Sequence, residues 1–393
     1  MSAAVAGSPL LPAGYSTELI PARRAHEVDA GQWQQLATRA AEANAYFEPW
    51  ALLPALQAFA DADIQLLVVR QQTAGTTESL LVGLCPISSA RAGRLPVNTR
   101  SVWIHPECYL GTPLVDSAHV NEVMLAISAT LTDGAIGRLP LLHSGGPCCR
   151  AMIDAVQEAG FELSARDRHT RALCEFGAAP DADSYLERAI SHKHRKEQRR
   201  QWNRLADMQA QLVELDDGGQ LPAWIEEFIA LEAAGWKGGA GAALALDQRR
   251  SSYFRELCAR AWPLGRLQFQ ALRVGGRAIA MKCNLLAPPG AFAYKICFDE
   301  LLAKYSPGTH LELFNVSRLF AARPTLQWMD SCASRRRWLV DRMWSERRAM
   351  ETLVIARSIS ARAALLHLAP LMLCLRRFLQ PRHRDPQAAD DSH

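Results

Sequence analysis

"FAYKICFDELLAKYSPGTHLELF", residues Phe292–Phe314, is the stretch on which the fold turns. It begins with aromatic and β-branched residues alternating with others, as a strand does. Two adjacent acids, Asp299 and Glu300, interrupt that pattern, and Tyr305 with a Ser306-Pro307-Gly308 turn follows. Apolar residues then recur at helical spacing, so the stretch reads as strand, turn and helix. Ser306 stands where an N-cap belongs, Pro307 suits the first helical position, and Gly308 allows close approach to the backbone. Unpaired N–H groups at such a helix start attract phosphate. Plain capping uses the same residues.

Upstream, "LQFQALRV" (267–274) turns through Gly275-Gly276 into "RAIAMKCNLL" (277–286), a strong hairpin signal because primed turns need positive φ. Downstream, a strand is expected at "TLQWMDS" (325–331) and a helix over 335–350. The first half follows the same order. Strands "IQLLVVR" (64–70), "LLVGLCPISS" (80–89) and "RSVWIH" (100–105) lead into "PECYLGTPLVD" and helix 118–131. Strand 138–144, a helix near 148–158 and a closing strand pair over 161–176 complete it. "YLGTP" in one half matches "YSPGT" in the other. The order predicts an α+β protein of two tandem units, each a mixed sheet with flanking helices. The expected divisions are a disordered 1–17, units 18–178 and 179–350 (the second catalytic), and a helical tail 351–393 with a disordered end.

Composition bounds the function. The chain has 393 residues, enough for two cores, and its net charge of +4 lacks the lopsidedness of a strong nucleic-acid binder. Ten cysteines form no CxxC pair or Cys/His ladder, so no metal site is expected and a reducing cytoplasm fits. The N-terminus lacks a secretory pattern, and no apolar run is long enough to span a membrane. The segment 361–380 is read as a docking helix, with peripheral contact to the inner membrane face as the second reading.

Other candidates lie nearby. "FIALEAAGWKGG" (228–239) ends a helix at Gly235 and then exposes Trp236 and Lys237 between glycines, a composition suited to a substrate lid, with Glu232 facing the same cleft or solvent. The basic run 191–207 reads as a solvated helix first and an anion contact second, and His192 and His194 do not share a face. Asp330, Ser331 and Cys332 end a strand; no histidine stands near Cys332 in sequence to activate it.

"LEAAGWKG", "YKICFDELLAKYSPGTHLEL" and "MDSCASRRRWLVDRMWSERR", with "HPECYLGTPLVD", resemble the bacterial GNAT-like acyltransferases of the CelD and BioF2-like group, relatives of the FemAB aminoacyl transferases. The resemblance covers about 25–350. It implies a tandem GNAT (acyl-CoA N-acyltransferase) fold and acyl transfer, with acyl-CoA, such as acetyl-CoA, as co-substrate and an amine or hydroxyl acceptor. Ser306, Gly308, Thr309 and His310 would hold the donor pyrophosphate. Asp299 or Glu300 would be the base; Tyr305 or a water is read as the proton donor to the leaving thiolate, with packing against the sheet as the plainer use of Tyr305. Glu232, Trp236, Lys237 and Lys295 would contact substrate. A glycan or cell-envelope precursor and the polysaccharide-synthesis machinery are the implied partners. The alternatives are an aminoacyl-tRNA-dependent transferase, with the basic helix serving the RNA, and a non-catalytic factor of a polysaccharide synthase.

Overall fold

The computed structural model describes residues 11–72, 79–91, 98–133, 135–235, 241, 243–322, 324–333 and 339–356. The first unit runs β1 (Tyr15–Pro21), α1 (Ala30–Arg39), α2 (Pro49–Phe59), β2 (Ile64–Gln72), β3 (Ser79–Arg91), β4 (Asn98–Val102), β5 (Leu114–Val115), α3 (Val120–Thr132), β6 (Ile136–His143), α4 (Pro147–Glu158) and β7 (Glu162–Glu175). The second runs α5 (Ala182–Ala189), α6 (His192–Asp207), β8 (Gln211–Glu214), α7 (Leu221–Ala234), α8 (Gln248–Ala261), β9 (Leu267–Val274), β10 (Arg277–Ala287), β11 (Gly290–Phe298), α9 (Pro307–Ala321), β12 (Trp328–Asp330) and β13 (Glu346–Ala356). The expected repeat is therefore real at the level of elements. Its hairpin β9–β10 turns at Gly275 and Gly276, whose φ values of 56° and 82° only glycine adopts without strain.

All these strands join one sheet in the order β1-β2-β3-β4-β6-β13-β7-β12-β11-β10-β9-β8, with β5 paired to β3. Only β4–β6 and β11–β12 are parallel, and each pair is bridged by a crossover helix, α3 or α9. The two units exchange their last strands. β13 lies between β6 and β7 of the first unit, and β7 pairs with β12 of the second. The largest hydrophobic cluster accordingly runs through both units, from Trp33 and Phe47 to Phe254 and Phe292. Neither half can bury its sheet edge alone.

Several expectations are corrected. Residues 346–356 form strand β13, where a helix through 350 and then a helical tail were expected. This strand is buried on both faces along most of its length, so "AMETLVIA" lacks the alternation that marks a half-exposed strand. The expected strand pair over 161–176 is one strand, β7. Strand β1 already starts at Tyr15, ahead of the expected residue 18. "YLGTP" precedes β5 and does not open α3, whereas "YSPGT" enters α9 directly. The segment 361–380 lies outside the described residues. Among the described residues no helix is long and apolar enough to cross a membrane.

Candidate active site at the junction of the units

β11 pairs with β12 only at Gly290–Trp328, Ala291–Met329 and Phe292–Asp330, and then continues to Phe298 past the end of its partner. A register shift against β10 occurs at the same place, between the pairs Leu285–Phe292 and Cys283–Lys295. The bulged strand holds one extra residue there, which breaks the in–out alternation. Tyr294 and Lys295, though adjacent, therefore reach the same group. That group is Glu107, on the first unit's loop between β4 and β5.

Glu107 is fully buried. It lies 2.6 Å from Lys295 Nζ and accepts a hydrogen bond from Arg250 Nε of α8 at 2.5 Å. The Tyr294 hydroxyl donates to it at 3.4 Å. Burial opposes its charge, but Lys295 and then Arg250 outweigh burial and hold its carboxyl below the usual range. Tyr294 meets Tyr46 and Tyr109 of the first unit at ring-centroid distances of 6.3 and 6.1 Å. Burial, reinforced by Glu107, keeps the Tyr294 and Tyr109 phenols well above their ordinary range, so both carry their protons. Glu232 is buried on α7 and accepts from the Leu244 N–H at 2.9 Å. Its charge is felt at Tyr109 and Arg250.

The end of β12 lies beside this cluster. Asp330 is enclosed by Arg171 of β7 and Arg348 of β13, at 2.6 and 2.9 Å, so both exchanged strands feed this point. Burial would raise its carboxyl, yet the two guanidinium groups hold it below the usual range. Asp330 also accepts from the Cys332 N–H at 2.8 Å, and Arg171 donates to the Tyr109 carbonyl at 2.7 Å. Cys332 lies 3.3 Å from the Tyr46 hydroxyl. Burial, then the Asp330 charge, push its thiol up to about 12, which keeps it protonated and a poor nucleophile.

At the far end of β11, α9 begins. Ser306 has φ 51° and ψ 51°, and its side chain makes no capping bond, contrary to the expected N-cap. Pro307 does occupy the first turn. Ser306 and Thr309 line a cavity of about 240 Å³ with His194, Gln198 and Gln201 of α6 and with Arg342. Gly308 and His310 are buried in the same turn. The His310 ring lies 5.4 Å from that of Trp202, and burial pushes its pKa down to about 4 despite a hydrogen bond to the Tyr305 backbone.

The expected set thus divides. Lys295 pairs with Glu107, and Glu232 lies close enough to Tyr109 and Arg250 for its charge to be felt there; Ser306 and Thr309 line the α9 cavity. Asp299 accepts from the Leu301 N–H at 3.0 Å and from Arg277 at 2.7 Å, so both its oxygens have structural partners. Glu300 is exposed. The Tyr305 ring packs against the small core of Leu205, Leu272, Ile279, Ala280 and Leu311, under the Lys304 ammonium at 5.0 Å. Trp236 and Lys237 lie outside the described residues. Sequence reasoning missed Glu107, Arg250, Tyr46, Tyr109 and Tyr294. A carboxylate inside the quoted segment "HPECYLGTP" was the one available signal. The described cysteines are all buried.

Residues 192–340 match the acetyltransferase (GNAT) domain family. No curated protein matches the chain in sequence. Among solved structures it resembles FemX, with a TM-score of 0.56 at 8% identity over 86% of this chain and 98% of that one. It also resembles the C-terminal domain of a putative lysylphosphatidylglycerol synthetase from Agrobacterium fabrum, with a TM-score of 0.52 at 11% identity over 88% of this chain and 98% of that one. The chain has a tandem GNAT-like fold of the FemX kind, its second unit carrying the GNAT sequence signature.

Proposed function

We propose that the protein is an acyltransferase that uses an acyl-CoA donor at the second unit. The observation that carries this reading is the cavity at the start of α9, most of whose lining residues fall within the GNAT match. The Arg342 guanidinium, the Ser306 and Thr309 hydroxyls and the amides of Gln198 and Gln201 suit a pyrophosphate. Glu197, the one carboxylate lining the cavity, is paired with Arg200 at 2.8 Å. From there a pantetheine arm running back along β11 brings its thioester to the bulge, beside Tyr294 and Glu107.

An acceptor amine or hydroxyl attacks the thioester carbonyl, the C–S bond breaks, and the acceptor loses a proton while the departing thiolate gains one. Protonated, buried Tyr294 is the nearest proton donor on β11. Glu107 is held ionised by two cations, which makes it an anchor and a weak base. Glu232 is the carboxylate that fits the base; Asp299 and Glu300 stand at the other end of the strand. A glycan or cell-envelope acceptor follows from the sequence resemblance, and work in the cytoplasm from the reduced cysteines. Calorimetric titration with acetyl-CoA tests the donor. Binding by the wild type that is lost in Gly308→Trp supports the reading, and no binding, or equal binding by both, contradicts it.

A second reading keeps the site and changes the donor to an aminoacyl-tRNA. It is favoured by Arg199, Arg200 and Arg204, which are exposed on α6 next to the same cavity. Tight tRNA binding that falls steeply with salt and is lost on neutralising these arginines would select it.

A further inference from the structure

The two units open their sheets in the same way, but the first opening is filled. β4 and β6 pair at Thr99–Ile136, Arg100–Gly137 and Ser101–Arg138, and no further. This is the counterpart of the three pairs that join β11 to β12. Beyond it the chain leaves β4, turns at His105–Cys108 and comes back between the strands it has just parted. The Gly111 N–H donates to the Leu141 carbonyl of β6 at 3.1 Å. A Cβ on Gly111 would stand 2.1 Å from the Pro140 carbonyl oxygen and 3.5 Å from the Ile104 side chain, so the residue sits between the two diverging strands and only glycine fits.

β6 is shaped to receive it. Leu141 has φ 51°, and β6 carries an extra residue against β13 between the pairs Leu139–Leu353 and Leu142–Glu351. The bulge turns the Leu141 carbonyl toward Gly111. The segment is tied on its other sides too. The buried Asn44 side chain donates to the carbonyls of Leu110 and Thr112 at 3.2 and 2.7 Å, and Arg171 donates to that of Tyr109.

We propose that Tyr109–Thr112 is a built-in plug that occupies the first unit's donor cleft, so that each chain takes one acyl donor, at the second unit. The plug also fixes Tyr109 against Tyr294 and, through its stem, Glu107 against Lys295, converting a lost donor site into the acceptor-side wall of the working one. Gly111 is then a positioning residue. The proposal rests on the acyl-CoA reading for its donor and on the first unit's geometry for the plug.

Native mass spectrometry with acetyl-CoA, on the wild type and on Gly308→Trp, tests it. One donor per chain, lost in Gly308→Trp, is expected. Two donors per chain, or one that survives Gly308→Trp, would overturn the plug. If neither protein binds acetyl-CoA the donor reading falls, and amide hydrogen exchange judges the plug alone. A Gly111 amide protected as strongly as the neighbouring β6 amides supports it, and exchange at the rate of an exposed loop overturns it.

Discussion

Glu107 of the first unit lies 2.6 Å from Lys295 of the second, and both side chains are buried. A charge pair enclosed in this way contributes little when intact but leaves a large penalty when one partner is removed. Arg250 remains as a partner to Glu107 if Lys295 is lost, whereas Glu107→Gln leaves the buried Lys295 ammonium without its carboxylate partner. Glu107→Gln should therefore cost ~3 kcal/mol or more, and Lys295→Met about half of that. Urea denaturation of the two single variants and the double variant measures it, and the double should cost less than the sum.

Acid sensitivity follows from the same pair and from Asp330. Both carboxyls are depressed in the folded protein, so the unfolded chain binds more protons on acidification. Their contribution is complete above the ordinary carboxylate range of ~4 and is lost as pH falls through the folded values. Asp330→Asn should lower stability at pH 7 and flatten the acid limb, a difference read from denaturation midpoints between pH 6 and 3.

His310 acts in a higher window. Its folded pKa of about 4 lies below the unfolded value of ~6.5, so the folded state favours the neutral ring. That preference is fully present above ~6.5 and disappears as pH falls toward the folded value, a loss on the order of 3 kcal/mol at most. His310→Gln should remove the slope between pH 6.5 and 4 while leaving the steeper carboxylate limb in place.

The position of the base separates two carboxylates. Asp299 caps the 3-10 turn Glu300–Tyr305 and pairs with exposed Arg277, so Asp299→Asn, which keeps the cap, should cost less than ~1 kcal/mol of stability and change kcat less than threefold. Glu232→Gln should lower kcat about 100-fold with the donor affinity unchanged. The reverse pattern would return the base to the end of β11.

Much of this was legible along the chain. The repeat, the β9–β10 hairpin at Gly275-Gly276 and the strand–turn–helix at 292–314 all rest on local signals, and each forms as the pattern predicts. The strand exchange does not, because β13 finds its neighbours in β6 and β7, far back in the sequence, and nothing local in "AMETLVIA" names them. Ser306 was legible as a helix start but not as a left-handed residue, since its sequence satisfies an ordinary cap equally well. The candidate site divides on the same ground. Ser306 and Thr309 belong to one motif and stand together at one cavity, while Glu107 and Arg250 are 143 residues apart and acquire meaning only when folding brings them together.

Arg342 and α6 face the cavity at the start of α9, and a donor pyrophosphate there is the centre of the functional account. A crystal of the protein soaked with acetyl-CoA examines it most directly. The account predicts pyrophosphate density against Ser306, Thr309 and Arg342, with the acyl end beside Tyr294; density in the first unit, or none at saturating donor, would contradict it.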